Sequence, residues 1–339
     1  MLIMKFGLSY DFLSQDTSNP VDMRKIREIS VLAEQLGFDA ILAGESHRAV
    51  RGHLPAPLLG LAAVAACTKK IEIGTNVLLL TTYNPLRFAE ETAVLDCLSN
   101  GRLILGLSLG ARTIWNIFSI PPSDSAQYFD EELELLTQLW TKPKVTFAGK
   151  YFQYQDASIS PKPIQKPYPT ILVGGTLAKS FQRASKYGGY IGAGNYGASW
   201  LSERFPSRKG SGAGQVKFVS LNRATLICKP DSALTKANWT SLREYSNYYH
   251  SRGDLKVPFQ VDSLDEPETL QKILGELAIA GTPDECIALI ERYGKMGIDQ
   301  LNLRLTIPGV NETELKDMMH LLSEKVFSYF GKTSSDRDR

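Results

Sequence analysis

The stretch from Ile71 to Arg112, IEIGTNVLLLTTYNPLRFAEETAVLDCLSNGRLILGLSLGAR, restricts the fold more than any other part of the chain. Ile71 to Leu80 is an apolar run rich in Ile, Val and Leu without a helical stripe, the pattern of a strand covered on both faces. Pro85 can open a helix at its first turn, where a missing N–H costs nothing. Phe88, Thr92, Leu95 and Leu98 then fall three or four apart, so one side packs on a sheet while Glu90 and Glu91 begin the wetter side. Asn100-Gly101 stops the helix, and Leu103 to Leu109 is a second buried strand. It ends at Gly110, where a ligand can come close to the backbone. The whole is one βαβ unit, the building block of a parallel sheet with helices outside it.

The same rhythm runs along the rest of the chain. Lys5 to Ser9, Asp39 to Ala43, Thr170 to Val173, Tyr190-Ile191, Val216 to Cys228 and Ile298 to Leu305 are expected as strands. Helices are expected over Val21 to Leu36, Leu58 to Cys67, Phe129 to Trp140, Leu177 to Lys186, Thr282 to Tyr293 and Glu312 to Phe330. Thr282 with Glu285 three residues on reads as an N-cap pair. Val145 to Phe147 and Tyr151 to Tyr154 read as a hairpin across Gly149-Lys150, and Thr113 to Tyr128 as a long irregular loop. Ser207 to Gly214, SRKGSGAG, is a flexible loop by composition. Asp231 to Glu276 is polar and helix-like in places, and the eight strands with eight principal helices predict the α/β class and a (β/α)8 TIM barrel. It is expected as a single domain over 1–330, with insertions after strands four and seven, near 113–169 and 231–276, and a disordered tail over 331–339.

Charge is nearly balanced, with Lys+Arg 38 against Asp+Glu 36, so nucleic acid and anionic membranes are poor partners and a small-molecule substrate is expected. Cys67, Cys97, Cys228 and Cys286 are scattered and form no CxxC pair, which fits reduced packing residues in a cytoplasmic protein. The start MLIMKFGLSY lacks the long apolar region of a signal peptide, and no apolar run approaches the roughly 20 residues that span a bilayer. His47, His53, His250 and His320 show no ligand spacing, so no metal site is expected.

In a barrel of this kind the chemistry lies on loops after strand ends. Here those loops carry Glu45-Ser46-His47, Ser108-Leu109-Gly110 and Gly174-Gly175-Thr176, a hydroxyl- and glycine-rich set with few carboxylates that suits a flat, polar-edged ligand bearing a phosphate. Gly174-Gly175-Thr176 ahead of a helix reads equally as a phosphate cradle and as an ordinary tight turn. Gly192 to Gly197 matches GxGxxG, yet it follows a sixth strand and has no acidic residue about 20 positions on, so it reads as mouth lining and not as a Rossmann site. His47 reads as a general base or cofactor contact, with an exposed loop histidine as the plain alternative.

GFDAILAGESH, the long block around LDCLSNGR, PKPIQKPYPTILVGG and the late GTPDE together resemble the luciferase-like family of flavin- and deazaflavin-dependent oxidoreductases. The resemblance runs from Phe6 to about Phe330 and is weakest between Gly197 and Gly275. It implies a TIM barrel, a homodimer, and FMN or the deazaflavin coenzyme F-420 at the C-terminal mouth. It further implies a cis peptide at Asn76-Val77 behind the ring, Ser108 and Gly110 beside ring and phosphate, and Gly175 and Thr176 at the phosphate. The chain departs from the family where a first histidine commonly follows the acidic residue of strand two: here Ser46 stands there, and only His47 remains. Ser46 and His47 are therefore the expected catalytic pair.

The first functional expectation is a monooxygenase using reduced FMN and oxygen on a small organic substrate, supplied by a flavin reductase. The alternative on the same scaffold is hydride transfer to or from the deazaflavin. A third reading is a flavin-binding protein without catalysis. In all three the protein's task is to hold, shield and orient the ring.

Overall fold

The computed structural model describes residues 4–10, 21–47, 54–120, 124–203, 216–229, 236–251, 253 and 255–331. Ser207 to Gly214 and the tail beyond 331 lie outside the described residues. Eight parallel strands follow one another: β1 (Lys5–Ser9), β2 (Ala40–Ala43), β3 (Glu72–Thr75), β4 (Leu103–Ser108), β5 (Thr170–Gly174), β6 (Gly188–Gly192), β7 (Phe218–Ile227) and β8 (Gln300–Arg304). Each is hydrogen-bonded to its neighbours in chain order, β6 pairs with β7 and β8 with β1, so the order returns on itself. With helices between strands, this is the (β/α)8 barrel the repeat predicts. The chain divides into two compact units, one of Met1–Tyr10, Val31–Leu42 and Gly189–Arg339, the other of Asp11–Ser30 and Ala43–Gly188.

In the first unit, registers Gly7↔Asn302 and Asn222↔Asn302 align β1, β8 and β7. Their facing side chains make a buried polar layer, with Gln300 Nε2 donating to Asn302 Oδ1 at 2.8 Å and Asn302 Nδ2 to Ser220 Oγ at 2.8 Å. On the other side of β7, the fully buried Arg223 donates through Nε to the Tyr293 hydroxyl at 2.7 Å. That tyrosine lies on the helix Pro283–Lys295, which opens with the expected capping box of Thr282 and Glu285. Phe6 stacks on Phe327 at 4.4 Å between ring centroids, fastening the C-terminal helical segment to β1.

In the second unit the helix Pro85–Leu98 is capped by Asn84, whose side chain accepts from Arg87 N at 3.1 Å, and begins on Pro85 as its sequence requires. Its buried Asp96 accepts from Gln165 N at 3.0 Å and Gln165 Nε2 at 2.6 Å. Those bonds dock the proline-rich segment, which contains cis bonds at Ser160-Pro161 and Lys166-Pro167.

Several elements differ from the expectation. The run Ile71 to Leu80 is not one strand: β3 ends at Thr75, pairing resumes at Leu78–Leu79, and a helical turn covers Leu80–Thr82, while the cis Asn76-Val77 peptide between them is the one the resemblance implies. Hydrophobic periodicity does not report such a break, because most of the run is buried on either side of it. The irregular Thr113 to Tyr128 contains a short helix, Arg112–Ile117, and the next helix starts early, at Ser125. A tertiary anchor, Trp115 Nε1 to Leu109 O at 2.8 Å, holds that short helix against weak propensity. The hairpin strands are Val145–Ala148 and Gln153–Ala157, because the N–H groups of Lys150, Tyr151 and Phe152 go to the Glu131 carboxylate at 2.8 to 2.9 Å. A further short strand, Ala278–Gly281, pairs with the end of β7, and the closing helix Glu312–Leu321 passes into a wider turn over Leu322–Phe327. Among the described residues, no helix is long and apolar enough to cross a membrane.

Candidate active site

The loop after β2 presents Glu45, whose side chain is fully buried while that of His47 is 18% exposed. A carboxylate so placed must be hydrogen-bonded. It is: His47 Nε2 lies 2.7 Å from Oε1, the Tyr83 hydroxyl donates to the same Oε1 at 3.2 Å, and the Leu79 N–H donates to Oε2 at 2.6 Å. Burial raises the Glu45 carboxyl above its ordinary value, opposed by the Leu79 N–H, His47 and Tyr83. Burial, then the Glu45 charge, also pushes the Tyr83 phenol up. The His47 ring meets Phe118 edge-on at 4.7 Å.

The break in strand three makes this cluster available. Asn76 N donates to Ala43 O at 2.7 Å and Glu45 N to Val77 O at 3.3 Å, so the cis pair is laced to the end of β2. Pairing then resumes with Leu79 opposite Ser108, which brings Glu45, Leu79 and the end of β4 into one row. Ser108 Oγ accepts from Gly110 N at 3.3 Å, and Gly110 has a positive φ of 79° that favours glycine. Leu107 stands opposite Val173, so Gly174 follows directly beside Ser108. The sequence-selected residues Ser46, His47, Asn76, Val77, Ser108, Gly110, Gly174, Gly175 and Thr176 thus lie on four consecutive strand ends of one compact unit.

Two features of this row fit a bound ring with a phosphate. The Asn76 Nδ2 is buried without a hydrogen-bond partner, an amide donor that the protein itself does not use. Gly175 has φ 137°, and a Cβ there would collide with Ser180 Oγ, so the turn keeps a bare backbone ahead of the helix Ala178–Tyr187. That helix has Leu177 at its N-cap and no side chain closing its first turn, which leaves its N-terminus suited to an anion.

Glu45 and Tyr83 are the residues that residue-by-residue reading passed over. Glu45 was visible as the acid of the strand-two loop, two positions before His47, but its burial was not. Tyr83 lies 38 positions away, and only the tertiary fold joins them. The Gly192 to Gly197 loop, in the other unit, leads to Ala198–Ser202, where the N–H of Ser199 is already taken by Glu276 Oε2 at 2.6 Å. Such a start has the protein's own carboxylate where a nucleotide phosphate would go, in keeping with the rejection of a Rossmann site. Among the described residues no group of three or more His, Cys, Asp or Glu could hold a metal ion.

F420-dependent glucose-6-phosphate dehydrogenase of Segniliparus rotundus is 28% identical over 304 residues, covering 85% of this chain and 89% of that protein. The enzyme of the same name from Kineococcus radiotolerans is 27% identical, covering 82% and 86%. Among solved structures, monooxygenase RslO1 from Streptomyces bottropensis superposes with a TM-score of 0.80 at 22% identity, covering 97% of this chain and 100% of that one. An F420-dependent secondary alcohol dehydrogenase gives 0.75 at 18% identity, covering 96% and 98%, so these two structures share the fold. The family model described as luciferase-like monooxygenase matches residues 4–300, most of the chain, and the protein is therefore an oxidoreductase of the luciferase-like family.

Proposed function

We propose that this protein is a deazaflavin-dependent dehydrogenase that removes a hydride from the carbinol carbon of a small alcohol. The observation that carries this reading is the Glu45–His47 pair, a histidine on a buried carboxylate at a strand end, in a chain whose curated relatives carry F420-dependent dehydrogenase names. Alcohol oxidation needs a base for the hydroxyl proton. His47 is the base: Nε2–H is held by Glu45, which leaves the Nδ1 lone pair for the substrate. As the carbon-bound hydrogen leaves with its electron pair, the hydroxyl proton goes to His47 Nδ1 and the product is the carbonyl. The bound deazaflavin supplies the two-electron acceptor. Asn76 and Val77 support its ring, Ser108 and Gly110 flank it, Gly174, Gly175 and Thr176 hold its phosphate, and Ser46 makes a polar contact beside His47.

The family description favours a second reading, monooxygenation with reduced FMN, which ranks first on sequence alone and falls behind once the relatives are weighed. A flavin reductase partner belongs to that second reading only, and a homodimer is compatible with either.

Fluorescence titration of the purified protein with oxidised coenzyme F-420 and, separately, with FMN tests the choice. Tight binding of the deazaflavin, with its reduction by an alcohol panel under anaerobic conditions, is the expected result. His47→Ala is expected to keep the affinity and lose about 10²–10⁴-fold in turnover. Binding of FMN alone would overturn the reading in favour of oxygen chemistry.

A further inference from the structure

The geometry points to Tyr83 as a positioning residue that fixes which nitrogen of His47 carries the proton, by donating its hydroxyl hydrogen to the Glu45 oxygen that His47 also engages. This deepens the dehydrogenase reading and rests on it for its catalytic consequence, though not for its physical one.

Glu45 offers two oxygens to three donors. Leu79 N–H takes Oε2 at 2.6 Å, while His47 Nε2 at 2.7 Å and the Tyr83 hydroxyl at 3.2 Å share Oε1. Such a set favours the carboxylate, and a carboxylate draws the imidazole proton onto Nε2. The unprotonated nitrogen is then Nδ1, the one free to take a substrate proton. Without the Tyr83 hydroxyl, burial of Glu45 is less opposed, so the pair takes up one further proton from solvent more readily, Oε1–H then facing Nε2 while Nδ1 carries the second hydrogen. His47 is then the Nδ1–H tautomer, which cannot accept.

Tyr83 is built to hold this place. Its ring packs edge-on against Phe88 at 5.2 Å, and Phe88 is fully buried in the helix Pro85–Leu98. The charged groups facing the cluster from that helix are Glu91, which acts on the Tyr83 phenol through space, and Arg87, which binds Glu91 at 2.8 Å and offsets it. From Arg112–Ile117 and its following turn, Phe118 meets the His47 ring without a charge. Tyr83 therefore has Glu45 as its hydrogen-bonded acceptor, and the hydroxyl is the one part of the side chain that phenylalanine removes.

The test is Tyr83→Phe read by nuclear magnetic resonance on the cofactor-free full chain, with ring nitrogens labelled and His47 assigned by loss of its signals in His47→Asn. In the parent protein the neutral His47 is expected as the Nε2–H tautomer. In Tyr83→Phe, at the same pH, signal is expected to move to the Nδ1–H form. An unchanged tautomer in a variant of unchanged melting temperature would overturn the inference. Should the variant not fold, Phe88→Leu, which loosens the tyrosine but keeps its hydroxyl, gives the same readout, and an unchanged tautomer there also counts against it.

Turnover then separates this inference from the reading beneath it. An acid limb of kcat/KM displaced to higher pH in Tyr83→Phe, with cofactor affinity kept, is the expected catalytic counterpart. Full turnover in His47→Ala would remove the proposed role of His47 while leaving the resonance result intact. A dead His47→Ala beside an unmoved Tyr83→Phe profile would instead sink only the role of Tyr83.

Discussion

Gly175 shows how much a single residue decides in this site. Its φ of 137° lies where L side chains rarely go, and an added Cβ would meet Ser180 Oγ. Gly175→Ala must shift the turn that precedes the helix Ala178–Tyr187. On the proposed reading it is expected to weaken cofactor binding at least about tenfold, the loss of one good backbone contact to an anion, and the strained turn is expected to lower the melting temperature. Titration with F-420 fluorescence, beside thermal melting, checks this. Position 175 was legible in the sequence as a glycine pair after a strand, but a tight turn and a phosphate cradle look alike at that level. What separates them is the uncapped helix beyond and the neighbouring strand ends, which are facts of the fold. Glu45 is the opposite case: its place in the loop was plain, and its function as the acceptor for His47, Tyr83 and Leu79 was invisible because all depends on burial.

At the scale of elements, local signals were read well wherever the deciding contacts are local. Thr282 and Glu285 form the capping box their spacing predicts, and Pro85 opens its helix as expected. Thr282→Ala is expected to cost about 1 kcal/mol of stability, seen as a lower denaturant midpoint with an unchanged slope. Where remote groups decide, the reading shifted. The hairpin turn is displaced because Glu131, on another helix, takes three of its N–H groups. Strand three breaks because its pairing is shared between the ends of β2 and β4, a division that the periodicity of Ile71 to Leu80 does not report and that only the motif resemblance, through Asn76-Val77, implied.

The whole molecule also carries one charge problem that burial creates. Glu132, on the helix Ser125–Thr141, is fully buried and neither carboxylate oxygen has a hydrogen-bond partner. Burial raises its carboxyl well above the ordinary 4.5. Between that value and the folded one the native state holds a proton that the unfolded chain has released, so stability falls as pH rises. Glu132→Met removes both the charge and the unpaired oxygens. It is expected to melt above the parent protein at pH 8 and to lose most of that advantage at pH 4, as calorimetry across the two pH values would show. An equal gain at both would assign the effect to packing alone.

The repeating alternation of buried strands and amphipathic helices was sufficient to determine the barrel, since period and length are local properties of the chain. Balanced charge pointed toward a small molecule, hydroxyl- and glycine-rich strand ends toward a phosphate-bearing ring, and the motif blocks toward the family now matched over residues 4–300. Only the tertiary structure decided which side chains share a proton. Hydrogen bonds from Tyr83 and Leu79 to Glu45 span 38 and 34 positions, and burial sets their strength. Neither quantity exists in a linear sequence, because distance and dielectric are properties of the folded chain.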